Sequence, residues 1–179
     1  MPPRIRKLAL AAHVGISVGW IGAVAAYMAL DVAVATNQDP QALRGAYAGM
    51  ELIARNVIVP LALGSLISGV LMAWGTKWGL FRHYWVVISL LLTTIATAVL
   101  LVETQTISNF ADVAANPATG DDDLRALGNT LAHSVGGMLV LVFILVLNMY
   151  KPKGMTRYGW RKEHEQRRMR QSERAMTLS

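Results

Sequence analysis

The chain has 179 residues, of which 54% are hydrophobic and 16% are charged, and its mean hydropathy is +0.38. This composition is too apolar for an ordinary soluble domain, so we expect a single membrane domain followed by a tail. Because the chain has no cysteine, disulfides, iron–sulfur clusters and thiolate metal sites are excluded. Histidine and carboxylate side chains remain as possible metal ligands.

The first apolar stretch predicts a transmembrane helix over residues 5–36. It exceeds the roughly 20 residues that a membrane-spanning helix needs, and it is too long for a cleaved signal peptide. Polar and aromatic side chains recur along it at steps of three, four or seven residues, so they share one face that should point into a bundle. They are His13, Ser17, Trp20, Tyr27 and Asp31.

Three further apolar segments predict helices over about residues 41–74, 84–104 and 122–150. Pro60 lacks a backbone donor and should kink the second helix. The turn between the first two helices is predicted from the run 37–40, which combines turn-forming residues with a proline. The sequence therefore predicts an all-α, polytopic membrane protein with a four-helix transmembrane bundle.

The bundle should occupy residues 1–150, and residues 151–179 should form a basic tail. Most Lys and Arg residues lie at the two ends of the chain and in the loop between the second and third helices. By the positive-inside rule, both termini are expected in the cytoplasm. We expect the tail to lie on anionic lipid headgroups rather than on nucleic acid, because no folded recognition element accompanies its charge.

Three intramembrane or juxtamembrane histidines, His13, His83 and His133, are candidate ligands for haem or a metal ion. Counting 1.5 Å per residue from the helix ends puts His13 and His83 at similar depths near the cytoplasm, and His133 in the outer half. Shifted helices would make His133 the partner of His13, with Gly136 and Gly137 leaving room for a flat ring. Alternatively, a serine or carbonyl group could satisfy each neutral imidazole.

Five ionisable residues gather at the outer end of the predicted bundle: Asp31, Glu51, Arg55, Glu103 and His133. Glu51 and Arg55 are four residues apart and can form an ion pair on one helix face. The group can be a set of structural ion pairs that closes the outer end, or it can mark a path for ions or protons.

The stretch from His13 to Gly22, with six residues between the histidine and Trp20, resembles the first helix of CopD-like bacterial membrane proteins and HemJ-type protoporphyrinogen oxidases. Residues 78–85 and 150–159 resemble segments of uncharacterised four-helix membrane proteins, many from actinobacteria, which implies a multi-pass protein of a bacterial plasma membrane. The first resemblance implies that His13 ligates haem b or a metal. HemJ-type proteins also need a lysine in a later helix, and this chain has no matching intramembrane lysine, which argues against oxidase activity.

The leading prediction is an integral membrane protein that binds haem b and carries electrons or senses a redox signal. In it, Ser17, Trp20 and Tyr27 would orient His13 or flank the ring, and His13→Ala should abolish haem binding. One alternative is a small permease that moves ions, protons or a metal through the outer polar group. Another is a non-catalytic subunit, with a second copy or a membrane redox protein as its partner.

Overall fold

The computed structural model describes residues 2–75, 81–152 and 154–178, and it contains no β-strand within these ranges. Its elements are α1 (Pro3–Thr36), α2 (Pro40–Ile53), a π-helical turn (Ala54–Ile58), α3 (Val59–Gly75), α4 (Tyr84–Ala115), α5 (Asp121–Ala126), α6 (Leu131–Tyr150) and α7 (Arg157–Leu178). Lys77, Trp78 and Lys153, which belong to the predicted basic loop and tail, lie outside the described residues.

Four helical segments in the described part of the chain are long and apolar enough to cross a membrane. They are Arg4–Thr36, Pro40–Trp74, Tyr84–Ala115 and Asp121–Tyr150. The predicted all-α, polytopic membrane fold is therefore confirmed. Helix α1 lies centrally and contacts α2, α3 and α6, while α4 packs on α2, α3 and α6. The buried core includes Trp20, Tyr47, Met50 and Ile107.

The turn between α1 and α2 lies where the sequence predicts it. Helix α1 ends at Thr36, and the side chain of Asp39 accepts hydrogen bonds from the backbone N–H groups of Gln41 and Ala42, at 3.4 and 3.2 Å. Pro40 follows Asp39 as the first residue of α2, a position where its missing N–H costs nothing. We call the end of the bundle that contains this turn and residues 116–130 the acidic end.

Helix α4 continues to Ala115, well beyond the predicted boundary at residue 104. Ile107, Ala111 and Ala114 are buried in this extension, because they pack in the core beside α2. Arg44 of α2 then holds the helix end: its guanidinium donates to the carbonyl groups of Ala114, Asn116 and Thr119, the last two at 3.0 and 2.9 Å. A cation at this position complements the negative end of the helix dipole.

A π-helical turn lies immediately before the segment that contains Pro60, the residue at which the sequence predicts a kink. The N–H of Val59 bonds to the carbonyl of Ala54, five residues earlier, and the following Pro60 has no N–H to donate. Ala54 and Ile58 are buried at 2% exposure each, so this turn faces the interior of the bundle.

The carboxyl-terminal tail begins by packing against the turn that precedes α4. Thr156 donates through its N–H to the carbonyl of Arg82 at 3.0 Å and through its hydroxyl to the carbonyl of Phe81. The same hydroxyl accepts the N–H of Gly159 at 3.1 Å and so caps α7. Farther along α7, the Arg167 guanidinium donates to Glu163 at 2.7 Å and lowers the pKa of that carboxyl below its usual value.

Replacing Gly159 by alanine should separate the tail from this turn. A Cβ at Gly159 would lie 2.5 Å from the carbonyl oxygen of Arg82, and a backbone atom cannot swing aside as a flexible side chain can. Overpacking typically costs about 1–3 kcal/mol, so the N–H of Thr156 should exchange with deuterium roughly tenfold faster in Gly159→Ala. Gly154→Ala is the control, because its Cβ would make an ordinary 3.6 Å contact with Tyr84. Equal exchange rates in both variants would contradict the docked arrangement.

Candidate functional site

A cavity of about 310 Å³ lies between α4 and α6, with α1 forming its back wall. We call it the lateral cavity. Most of its surface is aliphatic and is contributed by residues such as Leu92, Ile95, Val99, Val140 and Leu141. Ile95 and Val99 are 50% and 47% exposed, so the cavity reaches the outer surface of the bundle. In a membrane, this surface faces lipid.

The cavity exists because α6 carries small residues where it faces α4. Gly136 and Gly137 line the cavity, and no described atom lies within 4 Å of the position that a Cβ would take at either residue. Trp20 and Tyr27 of α1 form part of the back wall, and Ala54 and Ile58 of the π-helical turn also contribute to the lining. Larger side chains at the two glycines would fill this space.

Most polar groups of the cavity come from residues near the acidic end. They belong to Tyr27, Glu103, Thr104, Thr130, His133 and Ser134, while the indole N–H of Trp20 lies about two helical turns from Tyr27. His133 Nε2 lies 3.4 Å from Glu103 Oε1, and the His133 side chain is 58% exposed while that of Glu103 is 21% exposed. The lateral cavity is therefore amphipathic, with aliphatic walls and a polar end.

Asp31 is fully buried beside this polar end and binds the start of α6. Its Oδ1 accepts the backbone N–H of Thr130 at 3.0 Å, while its Oδ2 accepts the hydroxyls of Thr130 and Ser134 at 3.0 and 2.8 Å. The Tyr27 hydroxyl lies 2.7 Å from Thr130 Oγ1. A carboxylate at a helix N-terminus also complements the helix dipole.

His13 lies in the interface between α1 and α3. Its Nδ1 is 2.8 Å from the hydroxyl of Ser68, which donates its single proton to the carbonyl of Gly64 at 2.6 Å. Nδ1 must therefore be the donor to Ser68, which leaves the Nε2 lone pair as the acceptor of the neutral ring. One helical turn farther along α1, Ser17 and Ser65 bond to each other at 2.9 Å.

His83 occupies a third place, at the position immediately before α4. It forms an isolated β-bridge with Met155, and its ring lies 6.4 Å from that of Trp85. His164 stacks on Trp160 in α7, with ring centroids 5.7 Å apart. Among the described residues that line the lateral cavity, His133 is present and His13 and His83 are not. His13 and His83 were predicted to pair, but His13 contacts Ser68 whereas His83 contacts Trp85.

The predicted outer group is divided into three separate interactions. Asp31 binds the start of α6, and Glu103 faces His133. The predicted pair of Glu51 and Arg55 is present, with Nη1 of Arg55 3.6 Å from Oε1 of Glu51 and the Arg55 side chain 69% exposed. In the described part of the chain, no group of three or more His, Asp and Glu residues converges to hold a metal ion.

Comparisons with protein family models, with curated proteins and with solved structures find no match for this chain. The resemblance of the first helix to CopD-like and HemJ-type proteins therefore stays a prediction.

Sequence analysis missed Thr130 and Ser134 as partners of Asp31 and Arg44 as the residue that holds the end of α4. A signal for the first two was available, because they lie four residues apart at the start of a helix and thus on one face. No comparable pattern links Asp31 to them, since 99 residues separate Asp31 from Thr130.

Replacing Asp31 by alanine should destabilise the folded protein by roughly 3 kcal/mol, because one buried N–H and two hydroxyls lose a charged acceptor. Thermal unfolding in detergent, followed by circular dichroism, measures the change. Asp112→Ala removes an exposed carboxylate from α4 and serves as the control, with an expected change within about 0.5 kcal/mol. Equal melting temperatures for the two variants would show that the Asp31 contacts contribute little.

Proposed function

We propose that the protein binds a lipid-soluble organic molecule with a long apolar chain and a small polar head group in the lateral cavity. The observation that carries this proposal is the amphipathic lining: aliphatic walls open toward lipid, and polar groups gather at the acidic end. A molecule dissolved in the bilayer can reach such a cavity sideways, between α4 and α6. The volume of about 310 Å³ lies at the lower end of the range for small-molecule pockets.

Two further features support a binding role. Bundles commonly hold their ligands between facing helices, and the lateral cavity has this position. The π-helical turn at Ala54–Ile58 contributes to the lining, and such turns often occur at functional sites. The turn replaces regular α-helical hydrogen bonds, and a binding role would explain why the helix keeps this rare geometry.

The ion or proton permease receives less support. A permeation path needs polar groups along its whole length, and the lateral cavity is apolar over most of its walls. Asp31 is engaged by Thr130 and Ser134, and the exposed pair of Glu51 and Arg55 is separate from it.

For the orientation, we propose that both termini face the cytoplasm of a bacterial cell, as the distribution of Lys and Arg favours.

Filling the cavity should abolish binding without disturbing the fold. The probe is a diazirine-bearing hexadecanol in lipid nanodiscs, with labelled residues identified by mass spectrometry after irradiation. We expect labels on the facing parts of α4 and α6 in the wild type, and at least a tenfold loss in Gly137→Leu, because a leucine side chain would occupy the open space beside this residue.

Gly22→Leu is the matched control. Gly22 is exposed on α1, also has no described atom within 4 Å of its Cβ position, and is not among the described residues that line the cavity. Both substitutions make the same change in size and helix propensity. Equal labelling of the two variants, or labelling spread evenly over the lipid-facing surface, would contradict the proposal.

Haem b is a second candidate for this cavity, and one observation favours it. His133, Gly136 and Gly137 are three or four residues apart on α6 and line the same space, so a flat ring could lie beside an imidazole there. His133 would be the single axial ligand of the haem iron, because the described residues that line the cavity include no second histidine. Bound haem would supply a one-electron redox centre, and Glu103 would orient the His133 ring through Nε2 or compete with the iron for it.

Titration of the purified protein with haem b tests this candidate. His133→Ala should lose the haem absorption band, whereas His164→Ala should keep it because His164 lies in the tail helix. His13→Ala should also keep the band. Its loss in His13→Ala together with its retention in His133→Ala would instead assign the ligand to the interface of α1 and α3.

A further inference from the structure

We infer that the lateral cavity selects a head group that donates hydrogen bonds, and that Asp31 sets this selectivity without touching the ligand. The preferred class is a long-chain alcohol or an alkylphenol rather than the corresponding ether, ester or ketone. The inference rests on the proposed function, since it names the class of molecule that the same cavity binds.

Three hydroxyl groups meet beside Asp31, those of Tyr27, Thr130 and Ser134, and each has only one proton to donate. The hydroxyls of Thr130 and Ser134 lie 3.0 and 2.8 Å from Oδ2 of Asp31, and a carboxylate can only accept. The Thr130 hydroxyl therefore donates to Asp31, and the Ser134 proton is shared between Asp31 and the carbonyl of Leu131, which lies 3.1 Å from the Ser134 hydroxyl. The Tyr27 hydroxyl, 2.7 Å from Thr130 Oγ1, must then donate to Thr130, because the Thr130 proton is already in use.

With their protons used in this way, the three hydroxyl oxygens can only accept hydrogen bonds from a ligand. Glu103 adds a carboxylate, which is again an acceptor. His133 Nε2 lies 3.4 Å from Glu103 Oε1, and a ring that carries its proton on Nε2 presents the Nδ1 lone pair as an acceptor. Thr104 likewise donates its hydroxyl proton to the carbonyl of Leu100 at 2.8 Å. The polar end of the lateral cavity is thus rich in acceptors, although it contains four hydroxyl-bearing residues that could otherwise donate.

A head group with an O–H can satisfy one of these acceptors, whereas an ether or ketone oxygen would face lone pairs. Sites that hydrogen-bond a substrate hydroxyl reject analogues that lack it, because their polar groups are left unpaired. An ammonium head group could also donate, but bringing a charge into the apolar cavity costs far more than bringing in a neutral hydroxyl. We therefore assign the cavity to a neutral hydroxyl-bearing lipid.

Competition against the diazirine-bearing hexadecanol in nanodiscs tests this assignment with the full chain. The competitors are 4-decylphenol and its methyl ether, which share their ring and chain and differ in the donated proton. The phenol should displace the label at a concentration roughly fivefold lower than the ether, the factor expected for one net hydrogen bond. Equal displacement by both competitors would overturn the assignment while leaving the proposed function intact. Failure of the hexadecanol to label the cavity would instead overturn the proposed function.

Two variants test the part played by the hydrogen-bond chain. In Asp31→Asn, the side-chain NH₂ donates to Thr130 or Ser134, so the Thr130 hydroxyl can turn to Tyr27 and the Tyr27 hydroxyl can donate into the cavity. The advantage of the phenol over the ether should then fall to about onefold. Tyr27→Phe keeps the ring and removes one acceptor, so it should reduce phenol binding and leave ether binding unchanged. An unaltered preference in Tyr27→Phe and in folded Asp31→Asn would overturn the role of the chain.

Discussion

The hydrogen bonds from the start of α6 to Asp31 fix the polar end of this bundle. A carboxylate with no exposed surface is stable only when its oxygens are well bonded, and Thr130 and Ser134 meet that need with three donors. The same bonds hold α6 against α1 at one end. Farther along α6, Gly136 and Gly137 leave open space between α6 and its neighbours α1 and α4. The lateral cavity therefore begins next to the hydrogen bonds that hold the start of α6.

Much of the fold could be predicted from the sequence, because membrane helices need long apolar runs and breaks between them are marked by polar residues and prolines. The predicted end of α4, at residue 104, was wrong: the helix continues for about three more turns, to Ala115. Polar residues such as Gln105, Asn109 and Asp112 interrupt the apolar run in the segment 105–115, yet Ile107 and Ala111 are buried there and Arg44 holds its end. These are tertiary contacts, which a local hydropathy pattern cannot reveal.

For the candidate site, sequence reasoning found the residue types and not their partners. Trp20, Tyr27 and His133 line the lateral cavity, as members of one predicted face and one predicted ligand set. The depth count gave the vertical order of the histidines but contained no information about rotation around each helix axis. Rotation decides that His13 turns to Ser68 while His133 turns to Glu103. A helical face can be read from spacing, whereas the neighbour it meets depends on the packing of the whole bundle.

The π-helical turn makes the length of the second crossing as important as its composition. One residue more or less in an α-helix rotates everything beyond it by about 100° around the axis. The turn at Ala54–Ile58 absorbs one extra residue, and α3 consequently presents Ser65 and Ser68 to α1 while α2 presents Tyr47 and Met50 to the core. A single-residue deletion in this turn would restore regular α-helical bonds and keep the serines of α3 facing α1, whereas the same deletion between Pro60 and Ser65 would direct them toward lipid. The number of residues in the second crossing therefore helps to determine which side chains α3 presents to α1.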